Sequence, residues 1–123
     1  MSAPAPEGVL VVDKQAGMTS HDVVDRVRRV AGTRRVGHTG TLDPAATGVL
    51  VVCLGRATRL VTALQAGTKT YAAVARLGTT TDSDDLDGEV LTTVDTSDLD
   101  EQAVCSALSA FRGELDQVPP MVS

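Results

Sequence analysis

The sequence is poor in aromatic residues, since its 123 residues include one Phe, one Tyr and no Trp. A core must therefore be aliphatic, and an apolar share of 42% is sufficient for one domain and excludes general disorder. Cysteine is scarce as well. Cys53 and Cys105 stand alone, without the C-x-x-C spacing of zinc or redox sites, so we expect two small buried hydrophobic residues in a reducing compartment.

Long apolar runs are also missing. The longest uncharged stretch is the twelve residues 44–55, whereas a membrane-spanning helix needs about 20 apolar residues. The N-terminal residues contain neither the basic nor the apolar segment of a signal peptide. These features predict a soluble, cytoplasmic protein.

The net charge of −5 conceals an uneven distribution. Residues 1–76 contain ten basic residues against five acidic ones, whereas residues 77–123 contain one basic residue against eleven acidic ones. The excess of basic residues in the first part suits a polyanionic partner such as nucleic acid. Solvated helix faces produce similar counts, so charge alone leaves both interpretations open.

The hydrophobic pattern predicts the order β-α-loop-β-α-β-β-α, and hence an α+β fold with a mixed, largely antiparallel sheet. Valines at helical spacing predict a helix that Ser20 caps and Gly32 ends. Residues 33–48 show no period and are expected to form a loop of a length that is usually functional. The other predicted elements are strands at 8–12 and 48–55, both buried on two faces, strands at 69–77 and 88–94, a helix at 57–66 and a last helix from Ser97.

Several common sites do not fit the sequence. The acid-rich turn at 83–88 resembles the start of a calcium-binding loop, but Val94 stands where the bidentate Glu is required. No Gly is followed by Lys as in a phosphate-binding loop, and His21 and His38 lack metal-ligand spacing with Cys. No metal site is therefore predicted.

The long loop is the remaining candidate for a functional site. It contains a single carboxylate, Asp43, in a Gly-rich and Thr-rich segment, with Arg34 and Arg35 upstream and a predicted strand downstream. Pro44 fixes its own φ and biases Asp43 toward an extended conformation, so the carboxylate can be held rigidly. An ordinary Asp-Pro turn is the alternative that these residues alone leave open.

The residues around Asp43 resemble a known catalytic signature. Residues 37–50 read Gly-His-Thr-Gly-Thr-Leu-Asp-Pro-x-Ala-Thr-Gly-Val-Leu, which is similar to the signature of the bacterial tRNA pseudouridine synthase B (TruB) family. Gln15 and Arg59 depart from the residues common in that family without changing the chemistry of the pocket. The resemblance implies the α+β pseudouridine-synthase fold, present in part. Further matching segments lie at 8–20, 55–58, 69–71, 76–78, 81–88 and 111–113.

The resemblance implies an activity: isomerisation of uridine 55 in the T loop of tRNA to pseudouridine, without a metal or an organic cofactor. The base is flipped out, and its bond from C1′ to N1 is exchanged for one from C1′ to C5. In this family the Asp matching Asp43 is the essential carboxylate, the His matching His38 helps to fill the space that the base leaves, and the Tyr matching Tyr71 stacks on the base. Three roles of the carboxylate stay open: attack on the base, attack on the sugar, or removal of a sugar proton.

The resemblance also indicates partners and boundaries. Residues 1–7 are expected to form a flexible leader, and residues 8–123 the N-terminal portion of the catalytic domain. Family members continue with further strands, a basic partner of the catalytic Asp and a small RNA-binding domain, so we expect the isolated chain to be inactive and to self-associate. The expected partner is the T arm of tRNA, with no membrane and no metal. Four further residues are expected to contact RNA: Lys14, Arg35, Thr41 and Asp85.

Two alternative functions stay open. One is an RNA-binding fragment without activity, against which the intact Asp43, His38 and Tyr71 argue. The other is a guide-RNA-directed pseudouridine synthase relative. The close match at residues 81–88 favours a stand-alone enzyme over that relative.

Overall fold

A computed structural model describes residues 3–121, which divide into two compact units at the boundary between Thr70 and Tyr71. Among these residues, no helix has the length and apolar character needed to cross a membrane. The ends of the predicted leader and of the predicted catalytic portion, at Met1 and Ser123, lie outside the described residues. The first unit contains β1 (Gly8–Lys14), α1 (Ser20–Ala31), β2 (Val36–His38), β3 (Gly48–Leu54), a 3₁₀ segment (Gly55–Leu60) and α2 (Val61–Gln65).

The central strand of the first unit is β3, which pairs antiparallel with β1 on one side and β2 on the other. The predicted strands at 8–12 and 48–55 are thereby confirmed. The prediction of an unbroken loop over residues 33–48 is wrong at residues 36–38. These residues form β2 because the end of β3 offers them an edge, and Val36 is buried opposite Leu54.

The core of the first unit lies between α1 and one face of the sheet. Alternate residues of β3 point into it, as the two-residue period of a strand requires. On the other face Val9, Val11 and Val49 are 50%, 66% and 70% exposed, so the expected burial of both strands on two faces is not observed at these residues. The buried core residues are Val23, Val24, Val36, Leu50, Val52 and Leu54.

The two cysteines differ in burial. Cys53 on β3 is fully buried, and this burial raises the pKa of its thiol. Cys105 is exposed, so the prediction of two buried cysteines is wrong for this residue. It lies on α3 (Glu101–Leu108), whose main neighbour is the short 3₁₀ turn that follows it. This turn leaves the Cys105 side chain uncovered.

Helix α1 begins one residue earlier than the sequence pattern indicates. Its N-cap is Thr19, whose hydroxyl accepts the N–H of Asp22 at 3.0 Å, while the Asp22 carboxylate accepts the N–H of Thr19 at 2.8 Å. This capping box satisfies the first turn without Ser20. The prediction that Ser20 caps the helix is therefore wrong, and its hydroxyl is available to another partner. Gly32 ends the helix as predicted, with a φ of 63°.

The second unit contains an antiparallel hairpin of β4 (Thr79–Thr81) and β5 (Val90–Thr93), followed by α3. The predicted strand at 88–94 is confirmed, but the one at 69–77 is wrong, because those residues find no ladder partner within the described chain. The last helix begins after its cap, Asp100, and not at Ser97. The α+β class is confirmed.

Candidate active site

The loop that joins β2 to β3 presents Asp43 at the surface. The Asp43 carboxylate makes no hydrogen bond within residues 3–70, but the main chain on both sides of it is held. Its own carbonyl accepts the N–H of Ala46 at 2.9 Å, and the carbonyl of Pro44 accepts the N–H of Gly17 at 2.8 Å. An exposed carboxylate thus stands on a fixed backbone, which is what a catalytic carboxylate requires.

Ser20 holds the residue immediately before Asp43. Its side chain is almost fully buried, and its hydroxyl both donates to the Leu42 carbonyl at 3.2 Å and accepts the Leu42 N–H at 2.8 Å. The Leu42 side chain packs against the core. Sequence reasoning missed this contact because Thr19 and Ser20 are both residues that commonly cap helices. Only the adjacent pair of hydroxyl residues signalled that one was available for another bond.

Lys14 lies inside the first unit, with 1% of its surface exposed. Its ammonium donates to the carbonyls of Gln15 at 3.0 Å, Met18 at 2.6 Å and Pro44 at 3.3 Å. An ammonium has three donors, and all three are used here. The predicted RNA contact would require breaking these bonds, and we therefore interpret Lys14 as a structural cation that ties the end of β1 to the Asp43 loop.

His38 and Thr41 lie in the same segment as Asp43. The half-buried ring of His38 donates from Nδ1 to the Gly40 carbonyl at 3.0 Å. Because a carbonyl only accepts, Nδ1 carries the proton, and in the neutral ring Nε2 is an acceptor. Thr41 is exposed two residues before Asp43. The structure therefore groups three of the predicted site residues, with His38 at the end of β2 and Thr41 and Asp43 in the loop that follows it.

Arg35 lies just before β2, beside the turn that follows β3. Its Nε donates to Thr58 Oγ1 at 3.0 Å, and its carbonyl accepts the N–H of Gly55 at 2.8 Å. The side chain is exposed, and its two terminal nitrogens make no hydrogen bond within residues 3–70. A guanidinium held at one nitrogen in this way is suited to a phosphate contact through the other two.

Two predicted site residues lie in the second unit. Tyr71 is exposed over 65% of its surface, so it is not a core residue among the described part of the chain. Asp85 closes the acid-rich turn: one carboxylate oxygen accepts the Ser83 hydroxyl at 2.6 Å and the N–H groups of Asp87 and Gly88. These bonds, that of Ser83 first, hold the pKa of Asp85 below its usual value.

The chain matches a family model described as "TruB family pseudouridylate synthase (N terminal domain)" over residues 28–123. The matched residues include β2, β3 and the loop between them, and they place this fold in the class of pseudouridylate synthase N-terminal domains. The chain belongs to the TruB family.

Individual relatives support this assignment. The "tRNA pseudouridine synthase B" of Corynebacterium glutamicum is 52% identical over 124 residues, and that of Mycobacterium tuberculosis (strain H37Rv) is 54% identical over 123 residues. Each match covers 100% of this chain but only 42% and 41% of the respective relative. A solved chain in the "Crystal Structure of a Cbf5-Nop10-Gar1 Complex" is 30% identical, with a TM-score of 0.62 over 94% of this chain and 30% of that chain. The predicted family and fold are confirmed.

Replacing Lys14 tests its structural interpretation. Lys14→Met keeps the stem but removes all three bonds of the ammonium, and a part-buried acceptor left without a partner costs about 1–3 kcal/mol. We expect urea unfolding to show a loss of about 2–4 kcal/mol. The matched control is Gln15→Met, whose exposed side chain should change stability by about 0.5 kcal/mol or less. Equal unfolding midpoints for the two variants would contradict the interpretation.

Proposed function

We propose that residues 8–123 are the N-terminal portion of the catalytic domain of a tRNA pseudouridine synthase that converts uridine 55 in the T loop to pseudouridine. The observation that carries the proposal is the exposed Asp43 carboxylate on a main chain held at both sides, inside the family's signature. The two relatives named tRNA pseudouridine synthase B, at 52% and 54% identity, support tRNA as the substrate. Such a substrate is consistent with action in the cytoplasm.

The proposed reaction moves one glycosidic bond within a single nucleotide. The bond from C1′ to N1 breaks, the base turns, and a bond from C1′ to C5 forms. C5 then loses its proton to solvent and N1 gains one, so the isomerisation needs no oxidant or reductant. Asp43 is proposed to act as nucleophile toward the base or the sugar, or as a base toward a sugar proton. The absence of a competing hydrogen bond to its carboxylate within residues 3–70 supports this role.

The other site residues are proposed to bind the RNA. The base must leave the T loop to reach a carboxylate. We assign stacking on that base to the exposed ring of Tyr71, filling of the vacated space to His38, and a phosphate contact to Arg35. Thr41 is exposed beside Asp43 and is proposed to contact the same nucleotide. Asp85 is proposed to contact RNA through the carboxylate oxygen that the turn leaves unused.

An RNA-binding fragment without activity is the second candidate. It is favoured by one observation, the exposed guanidinium of Arg35, which is suited to a phosphate contact that requires no catalytic step. A guide-RNA-directed enzyme is less well supported, because both bacterial relatives carry the tRNA name. Activity measurements on the complete gene product separate these alternatives.

Removing the charge of Asp43 tests the catalytic role. Acid–base assistance alone contributes typically 10²- to 10⁴-fold, so Asp43→Asn in the complete gene product should lower the rate by at least about a hundredfold. Release of tritium from 5-labelled uridine in a T-loop RNA measures this rate. Asp98→Asn, at an exposed acid of the second unit, is the control and should retain the activity. A loss of less than about tenfold in Asp43→Asn would refute the assignment.

Two substitutions separate stacking by Tyr71 from a role of its hydroxyl. Base stacking on an aromatic ring contributes roughly 1–3 kcal/mol, so Tyr71→Ala should weaken binding of a T-loop stem by at least about fivefold. Tyr71→Phe keeps the ring face and should bind like the wild type. Fluorescence-quench titration of the three proteins provides the affinities. Equal affinity for all three would exclude the stacking role.

The isolated 123-residue chain is proposed to be inactive and to self-associate. β1 is an edge strand of its sheet, and its residues Val9, Leu10 and Val11 are 50%, 43% and 66% exposed. An apolar edge of this kind tends to pair with another chain. An apolar groove of about 420 Å³ between β1 and α1 adds to the uncovered surface.

Sedimentation equilibrium over a tenfold concentration range tests this property of the isolated chain. The average mass should rise with concentration and exceed the 12.7 kDa of one chain. Val11→Lys places a charge on the apolar edge and should shift the equilibrium toward monomer. A wild-type chain that stays monomeric and turns over T-loop RNA would contradict the proposal.

A further inference from the structure

Ser20 makes the closest side-chain contact to the main chain that precedes Asp43. Its hydroxyl has one donor and two acceptor positions, and it uses the donor on the Leu42 carbonyl and one acceptor on the Leu42 N–H. The Leu42 carbonyl belongs to the peptide unit that ends at the Asp43 nitrogen. One hydroxyl therefore sets the orientation of the peptide plane from which the Asp43 side chain departs.

Two features indicate that this contact has a purpose beyond capping α1. The helix start is already satisfied by the capping box of Thr19 and Asp22, so Ser20 is not needed there. The Ser20 side chain is 2% exposed, and a hydroxyl buried to this extent is costly unless it is hydrogen-bonded. Both of its bonds reach a residue 22 positions away in the sequence.

We propose that Ser20 is a positioning residue for the isomerisation, acting through Leu42 to aim the Asp43 carboxylate at the flipped nucleotide. The inference rests on the proposed role of Asp43 and extends it to a residue on another element. Ser20 touches no reacting atom. It restricts the loop so that the carboxylate occupies a productive position before the RNA arrives, which lowers the entropy lost in the reactive complex.

Kinetics of the complete gene product test the proposal. A misplacement of about 1 Å costs on the order of a hundredfold in rate, so Ser20→Ala should lower kcat by about tenfold to a hundredfold, with KM for T-loop RNA changed by less than about threefold. Ser20→Cys nearly keeps the side-chain volume but weakens both hydrogen bonds. It should show the same lowered kcat with a nearly unchanged KM. A wild-type kcat in Ser20→Cys together with a lowered kcat in Ser20→Ala would mean that the volume of the side chain matters and its hydrogen bonds do not, and would overturn the proposal.

Thr19→Ala is the matched control for stability. It removes the capping box of the same helix, and so destabilises it, without touching Leu42. Its thermal midpoint should fall about as far as that of Ser20→Ala, yet kcat should stay at the wild-type value. An equal loss of kcat in Thr19→Ala would show that general destabilisation explains the effect, and would overturn the proposal.

Amide hydrogen exchange at Leu42 provides a readout that does not depend on catalysis. Loss of the hydroxyl acceptor should speed exchange of the Leu42 N–H by about tenfold in Ser20→Ala and leave it unchanged in Thr19→Ala. Unchanged exchange in Ser20→Ala would overturn the proposal whatever the kinetics. If the wild-type protein lacks turnover, the proposed function fails, and the Leu42 amide alone supports or overturns the anchoring by Ser20.

Discussion

The buried ammonium of Lys14 joins three parts of the first unit: the end of β1, the connection into α1, and the loop that contains Asp43. The farthest of its acceptors, Pro44, is 30 residues away in the sequence. Burying an unpaired cation is costly, so the three carbonyls must stay in place around it. The geometry of the Asp43 loop therefore depends on the correct packing of β1 and α1, although neither element belongs to that loop.

The Asp43 loop combines a fixed main chain with an exposed side chain. Its main chain is held through Leu42, Asp43 and Pro44 by partners outside and inside the loop, while the Asp43 side chain stays in solvent. A carboxylate on a mobile loop would lose most of the advantage of orientation. This arrangement explains why so long a connection between two paired strands is tolerated: its residues are fixed by hydrogen bonds without a regular element.

Hydrophobic periodicity predicted the elements whose apolar residues follow a strong pattern, namely β1, α1, β3 and β5. It failed where pairing with another part of the folded chain decides whether a strand forms. β2 exists because the edge of β3 is next to residues 36–38, and residues 69–77 lack such a partner in the described chain. The site followed the same rule: the motif around Asp43 could be recognised from the sequence, but the burial of Lys14 depends on carbonyls that only the folded chain brings together.

The sequence separation of these contacts has a consequence for folding. β2 and β3 are neighbours in sequence and form a local hairpin, whereas the pairing of β1 with β3 closes a much longer chain segment and costs more loop-closure entropy. The anchors of the Asp43 loop come from the end of β1 and the start of α1. The Asp43 loop is thus fixed only when β1 and α1 are also in place, so a partly folded protein that contains just the hairpin would lack an organised site.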